Sequence, residues 1–403
     1  MNSGGRRLIW LLKPAELALK GDNRKIFEAV LKRNLQTMLS GTDVQIVLKN
    51  GRFYVHGREE NSKKIENALS RLIGISGWAQ TSGVEKNIDS VLAACISEGE
   101  KIIAQGIDTF KIEARRTDKS FPLGSYELRC KAGDAVKEAV AGLRVNVQKP
   151  GATIRIEIRE KAYVYSDLRG GLGGLPVGTA GRGLLLLSGG IDSPVAGFLM
   201  ATRGMGIDAV HFHAYPYTSK EAKEKVVRLA GILGSYSMGI RLYTVGFTKV
   251  QMRIKEKAPE AWATVLLRMA MMDCAQKIAL TAKSKCLVTG ESLSQVASQT
   301  VENLSCTQSV VTLPVLRPLI GSDKETIIRK AEAIGTYKIS IEPYEDCCVL
   351  FTPPRPVLRG NVAEAQTIYR SLELEPLIEE ALKECENMKC GETGKMPEEI
   401  GKL

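Results

Sequence analysis

Apolar positions along the chain follow two different patterns in its two halves. Leu8 to Leu12 form an unbroken apolar run, as expected for a strand covered on both faces. After the polar turn at 20–25, Phe27, Val30, Leu31, Leu35 and Met38 recur at helical spacing, with Asn23 read as the helix cap. Residues 44–48 and 52–56 read as a hairpin around Asn50-Gly51. One strand, one helix and a hairpin make a small α+β unit, 1–60. A second α+β unit, 61–168, follows. Its pattern predicts helices over 64–72, 88–105 and 123–142, the last broken near Gly133. It also predicts strands over 109–115, 152–160 and 162–165. In 152–160, Ile154, Ile156 and Ile158 alternate with Arg155, Glu157 and Arg159, the mark of a half-buried strand.

Seven glycines fall within the fifteen residues 169–183, which read as a linker. Beyond it, in 184–403, the pattern changes to α/β. Strands are predicted over 184–187, 208–212, 241–245 and 286–289. Helices are predicted over 194–203, 220–233 and 261–282. Another runs from a capping box at Ser322-Asp-Lys-Glu325 to Ile334. Strands alternating with helices imply a Rossmann-like, doubly wound parallel sheet, in which ligands bind beyond the carboxyl ends of the strands.

The length of 403 residues fits two or three domains. With 44% hydrophobic and 25% charged residues, the composition is that of a globular protein with a real core. No apolar run reaches a membrane-spanning length, and the amino end lacks a signal-peptide pattern, so no membrane association is expected. Nine scattered cysteines exclude a secreted disulfide scaffold and point to a reducing cytoplasm. The net charge of +11 is unevenly distributed. Residues 1–180 carry 29 basic and 20 acidic side chains, and residues 181–403 carry 27 and 25. The excess of +9 in the first half suits a phosphate backbone.

Ser188-Gly189-Gly190-Ile191-Asp192-Ser193 lies between a predicted buried strand and a helix. Two glycines allow close backbone approach to an anion, and the helix start supplies N–H groups and the positive end of its dipole. No Gly-Lys-Ser/Thr follows, so this is not a Walker A loop. It resembles the PP-loop of ATP pyrophosphatases, which split ATP into AMP and pyrophosphate. In that family the loop binds pyrophosphate and its aspartate, here Asp192, is essential.

The resemblance extends along the chain. Glu16-Leu-Ala-Leu-Lys-Gly-Asp-Asn-Arg-Lys25 is similar to the amino-terminal signature of tRNA 4-thiouridine synthetases, the ThiI family of tRNA uridine 4-sulfurtransferases. The following unit resembles their RNA-binding THUMP domain. His211-Phe212-His213, Thr289-Gly290-Glu291-Ser292 with Gln295 and Gln299, and Arg317-Pro318-Leu319 to Lys324 occur in that family's order. The implied fold is an α/β chain: an N-terminal ferredoxin-like α+β domain and a THUMP domain, then a PP-loop ATP pyrophosphatase domain.

The resemblance implies an ATP site at Leu186, Leu187, Ser188, Gly189, Gly190, Asp192, Ser193, His211, Phe212, Arg268, Gly290 and Gln299. Read alone, Leu186 and Leu187 are core, and His211 is a structural histidine. Gly290 permits close approach of a nucleotide. Arg268, in an apolar run, needs an anionic partner, which the family pattern makes ATP. Lys324 is either a catalytic group offsetting phosphate charge or a first-turn surface lysine. Mg²⁺ accompanies the nucleotide, with Asp192 arranging it. A His-rich metal site is not expected from three histidines. Lys20, Arg24, Lys25, Arg115 and Arg116 are the candidate RNA-binding residues.

Alignment with the family places its catalytic cysteine at Cys347, in a loop-like stretch, with Cys348 beside it as substitute, helper or inert neighbour. A thiolate there can carry a persulfide sulfur. Many relatives carry a rhodanese domain for that sulfur, and the chain stops at Leu403, too soon for one. Sulfur is then expected directly from a cysteine desulfurase, or through Cys385 or Cys390 in a polar tail. The cysteine spacing matches no standard Fe–S pattern. The implied activity is adenylation of uridine 8 of tRNA and sulfur transfer to make 4-thiouridine. A secondary transfer to the sulfur carrier protein of thiamine thiazole synthesis is weakened by the missing domain. Homodimerisation is compatible with the reading. Two rivals stay open: a 2-thiouridine-synthase type of PP-loop enzyme, and an RNA-binding module with a dead PP-loop.

Overall fold

The amino-terminal apolar run forms strand β1 (Arg7–Pro14), flanked on both sides by antiparallel strands. Trp10 and Leu12 point to one face of the sheet and Leu11 to the other, and all three are fully buried, which explains the absence of alternation. β1 belongs to the first of two compact units, Met1–Gly174 and Leu175–Leu403, of a computed structural model that describes residues 6–344, 353–391 and 398–402.

In the first unit a 3₁₀ stretch, Glu16–Asn23, leads directly into α1 (Arg24–Met38). Asn23 does not cap this helix: its backbone is already helical and its side chain makes no cap hydrogen bond. β2 (Val44–Lys49) and β3 (Arg52–Arg58) form the expected hairpin, with Asn50 at φ 49° and Gly51 at φ 73° in the left-handed region its turn requires. Next come α2 (Ser62–Arg71) and β4 (Ile75–Val84). β4 returns to pair with β1, so the first subdomain is βαββαβ and extends past the boundary expected at residue 60.

β4 escapes the pattern because Ser76, Gly77, Ser82 and Gly83 dilute its apolar alternation. Its glycines serve close approach. A Cβ on Gly77 would lie 2.9 Å from Arg169 O, and one on Gly83 would lie 2.9 Å from Ile9 Cδ1.

The second subdomain contains α3 (Ile88–Ala104), β5 (Thr109–Arg116), α4 (Ser125–Ala139), β6 (Arg144–Val145), β7 (Ala152–Ile158), β8 (Ala162–Tyr165) and β9 (Arg169–Gly170). α4 runs through Gly133 without the expected break. β4 also pairs with β8, which joins both subdomains into one sheet of order β2-β3-β1-β4-β8-β7-β5-β6, with β9 beside β4. The helices α3 and α4 bury Val91, Phe110, Leu128, Ile154 and Ile156 against it.

The glycine-rich stretch read as a linker is ordered. Arg169 and Gly170 pair with β4, Leu175 bridges to Arg203, and Gly173, Gly174, Gly178 and Gly181 turn the chain with positive φ.

The second unit alternates strand and helix: β10 (Arg182–Leu186), α5 (Asp192–Thr202), β11 (Gly206–His213), α6 (Lys220–Ser237), β12 (Ile240–Gly246), α7 (Thr248–Lys257), α8 (Ala263–Thr281) and β13 (Leu287–Val288). It continues through α9 (Val301–Gln308), β14 (Val315–Leu316), α10 (Lys324–Ile334), α11 (Tyr337–Ser340), α12 (Val362–Ser371), α13 (Glu375–Lys383), β15 (Glu386–Cys390) and β16 (Glu398–Lys402).

The sheet order is β14-β13-β10-β11-β12-β15-β16. The first five strands are parallel, and β15 and β16 add an antiparallel edge. Cys385, just before β15, and Cys390, at its end, were expected in a polar tail and are instead fully buried. Among the described residues, no helix is long and apolar enough to cross a membrane.

Candidate active site

From β10 the chain proceeds outward to β11 and β12, then returns across to β13 and β14. The topological switch point therefore lies between β10 and β13, where strand carboxyl ends open a crevice. The loop 188–193 leaves β10 there and starts α5 at Asp192.

The serines of the loop brace it. Ser188 N–H donates to Ser193 Oγ at 3.0 Å, and Gly190 N–H donates to Ser188 Oγ at 3.2 Å. Ser193 Oγ donates to Ser188 O at 3.3 Å, and Ser340 Oγ donates to Gly190 O at 3.3 Å. The loop is thus held open at a helix amino terminus, a ready site for anionic oxygens.

A cleft opens over this loop. Its floor comes from Leu186, Leu187, Ser188, Gly190 and Asp192, one wall from Val210, His211 and Phe212, and the other from Arg268, Met271, Met272, Thr289, Gly290, Glu291 and Gln299. Its apolar wall is suited to a flat ring and its loop to phosphates. His211 is 6% exposed, and its Nδ1 donates to Leu187 O at 3.1 Å, which orients the ring. Gln299 Oε1 is buried with no hydrogen-bond partner among the described residues.

Lys324 Nζ lies 2.6 Å from Asp192 Oδ1, and Gln295 Nε2 donates to Oδ2 at 2.9 Å. Lys324 is the first residue of α10, and Asp323, not the expected Ser322, caps that helix by accepting Thr326 N–H at 2.7 Å. Across the cleft, Glu291 pairs with both Arg268 and Arg317, the latter at 2.7 Å, and accepts Thr289 Oγ1 at 2.8 Å. Burial pushes the Glu291 carboxyl upward, but the two guanidinium groups overcome it and hold the pKa below the ordinary value.

Gly290 lines the cleft and also has a packing role. A Cβ there would lie 2.7 Å from Ser193 N and 2.8 Å from Ser193 Cα, so the glycine lets the end of β13 pack on the start of α5.

In the first unit, Arg52 and Arg159 surround the buried carboxylate of Glu157 at 3.5 and 2.8 Å, with Lys13 at 3.9 Å. Burial, and the nearby Arg155, Arg52 and Arg115, lower the Lys13 pKa despite Glu157.

Three family models match the chain: the ThiI ferredoxin-like domain at 9–79, the THUMP domain at 85–167, and the thiamine biosynthesis protein (ThiI) at 178–374. The probable tRNA sulfurtransferase of Treponema pallidum (strain Nichols) is 47% identical over 377 residues, 93% of this chain and 94% of that protein. The chain belongs to the ThiI family of tRNA sulfurtransferases. A second relative, the probable tRNA sulfurtransferase of Caldanaerobacter subterraneus subsp. tengcongensis, is 43% identical over 372 residues, covering 92% of this chain and 97% of its own. The crystal structure of a 4-thiouridine synthetase in complex with RNA and with bound ATP superposes with a TM-score of 0.88 at 35% identity, covering 96% of this chain and 100% of that one. Family membership and the three-part fold expected from the motifs therefore stand.

Of the residues assigned by resemblance to this ThiI-family site, Leu186, Leu187, Ser188, Gly190, Asp192, Ser193, His211, Phe212, Arg268, Gly290 and Gln299 line one cleft. Gly189 belongs to the same loop, and Lys324 reaches the cleft through Asp192. Arg268 finds its anionic partner within the protein, at Glu291. Glu291, Arg317 and Gln295 lay inside the quoted motifs without a role. Their roles depend on contacts across 23, 26 and 103 positions of sequence.

Cys347 and Cys348 lie outside the described residues. Cys385 and Cys390 are poor sulfur relays: both are inaccessible, and burial pushes both thiols up to about 11.

The candidate RNA residues are heterogeneous. Lys25 and Arg115 are exposed. Lys20 sits over the Phe27 ring at 5.1 Å, and Arg24 pairs with Glu28 at 2.7 Å. Arg116 donates to Phe121 O at 2.9 Å, which makes it a brace for the following loop. The convergence of Lys13, Arg52 and Arg159 on Glu157 was not anticipated, because strand spacing alone does not bring β1, β3 and the end of β7 to one carboxylate.

Proposed function

We propose that this chain is an ATP-dependent tRNA sulfurtransferase that converts uridine 8 of tRNA to 4-thiouridine. The observation that carries the reading is the braced loop 188–193 at the switch point, with Asp192 and Lys324 joined beside it. Relatives named tRNA sulfurtransferase, and a solved relative that is a 4-thiouridine synthetase bound to RNA and ATP, support it.

The triphosphate rests on the loop and the start of α5, and the adenine lies by His211 and Phe212. The buried acceptor Gln299 Oε1 can take a hydrogen bond from the exocyclic amino group of adenine. The Asp192 carboxylate is a suitable hard ligand for Mg²⁺, which is usually held by one or two carboxylates plus substrate phosphates and neutralises their charge.

Uridine O4 attacks the α-phosphorus and pyrophosphate leaves. The terminal sulfur of a persulfide on Cys347, loaded by a cysteine desulfurase, attacks C4, and AMP leaves with the C–O bond. A second thiol, from another cysteine or an external reductant, then attacks the inner sulfur. The S–S bond breaks, a disulfide forms, and sulfur stays on carbon 4. The basic first unit grips tRNA. A further transfer to the thiazole sulfur carrier would use the same persulfide.

Incubation with tRNA, ATP, a desulfurase and cysteine should yield 4-thiouridine at position 8, read by mass spectrometry of nuclease fragments. Thiolation at carbon 2 would overturn the assignment. Asp192→Ala should abolish ATP–pyrophosphate exchange in the presence of tRNA. Cys347→Ser should abolish thiolation while leaving exchange intact; full thiolation by Cys347→Ser with loss in Cys348→Ser would transfer the role to Cys348.

A further inference from the structure

Glu291 is 3% exposed, yet it lines the cleft. Its two oxygens collect donors from three segments. Arg268 on α8 reaches Oε1, while Arg317 after β14 and Thr289 after β13 reach Oε2 at 2.7 and 2.8 Å. Only one of the two arginines faces the cleft: Arg268 lines it, whereas Arg317 lines a separate apolar groove with Leu293, Val301 and Ile320. Arg317 also donates from Nη1 to Gln308 Oε1 at 2.7 Å, which anchors it to α9.

The arrangement is asymmetric in purpose. A carboxylate at a triphosphate site repels the ligand, so charge alone argues against its presence. Two cations around one anion leave a net positive group, and a guanidinium fixed by a carboxylate is preorganised at no cost to the ligand. Arg317, which lines the neighbouring groove, holds Glu291 in place.

We propose that Glu291 is a positioning residue that locks the Arg268 guanidinium for the nucleotide, with Arg317 as its external anchor. The inference rests on the ATP reading of the cleft. It makes a prediction opposite in sign to simple electrostatics: removing the negative charge weakens ATP binding instead of tightening it.

The test uses the full chain and measures ATP affinity by equilibrium dialysis, with KM for ATP and for tRNA in parallel. Glu291→Gln should weaken ATP about tenfold and raise its KM, with KM for tRNA within about twofold of the parent. Arg268→Ala should weaken ATP comparably, and the double variant should be no weaker than Arg268→Ala alone, because both remove one interaction. Arg317→Lys, altered outside the cleft, should weaken ATP about threefold, since Lys cannot reproduce the planar guanidinium contacts. Should Glu291→Gln fail to fold, Arg317→Lys and Thr289→Val carry the same test.

Tighter or unchanged ATP binding in these variants, or losses that multiply in the double variant, would overturn the proposal. If the parent protein binds no ATP, or Arg268→Ala binds it normally, the ATP reading itself fails. A weakened Arg268→Ala beside a normal Glu291→Gln sinks the positioning role alone.

Discussion

A lysine at the first position of a helix opposes the helix dipole, yet Lys324 stands at the start of α10. The carboxylate of Asp192, 2.6 Å away, offsets that cost and ties two helix starts together beside the loop. Gly290 is the second residue whose meaning is geometric. Gly290→Ala should cost about 1–3 kcal/mol of stability, because the new methyl strikes main chain that cannot rotate aside. It should also weaken ATP, as the start of α5 is pushed from β13; a thermal melt and a binding isotherm together check it.

The thiols give a third residue-level expectation. Alkylation of the native protein at pH 8 should label exposed Cys130 and spare Cys95, Cys385 and Cys390, whose thiols burial raises to about 12, 11 and 11. Peptide mass spectrometry reads the outcome, and rapid labelling of Cys385 or Cys390 would restore them as relay candidates.

Among the elements, α5 carries the site and is nearly buried all round, with Val195, Ala196, Phe198 and Ala201 at most 4% exposed. Gly197 makes this placement possible: a Cβ there would lie 2.7 Å from both Leu185 Cδ2 of β10 and Leu233 Cδ2 of α6. Gly197→Ala should therefore lower stability despite the better helix propensity of alanine, by about 1 kcal/mol or more from overpacking. A denaturant midpoint below the parent's is expected, and a midpoint above it would show that the leucines yield freely. β4 is the corresponding element of the first unit, since it pairs with both β1 and β8 and makes one sheet of two subdomains. Its serines and glycines hide it from any period-two search, because neighbouring backbone and Ile9 fill the space where side chains would stand.

For the whole molecule, charge and acid response are the measurable properties. The +9 of residues 1–180 predicts that tRNA binding weakens steeply with salt, with a log–log slope near −0.7 to −0.9 per phosphate contacted. A filter-binding series at increasing salt checks it; a flat line would remove the electrostatic grip. Burial lowers the pKa of His213 and of His56 below the ordinary 6.5. The folded state therefore binds these protons less readily than the unfolded chain, and stability is held above that value and lost as pH falls below it. Glu157 and Glu291, also held low, extend the loss further into acid. Thermal midpoints should be level near pH 7–8 and fall through pH 6 to 5.

The motif Ser188 to Ser193 was legible because a strand, a braced loop and a helix start are all local, so six adjacent residues carry the whole device. The alternating strands and helices after residue 183 were legible for the same reason, since hydrophobic period is a local property. The tertiary structure alone decided the partners. It set Glu291 between two arginines, closed Lys324 onto Asp192 over 132 positions, gave Gly290 its duty against α5, and buried Cys385 and Cys390 at the two ends of β15. Local pattern fixes where a side chain sits along its element, but a buried charge takes its role from whatever the fold brings within about 3 Å of it.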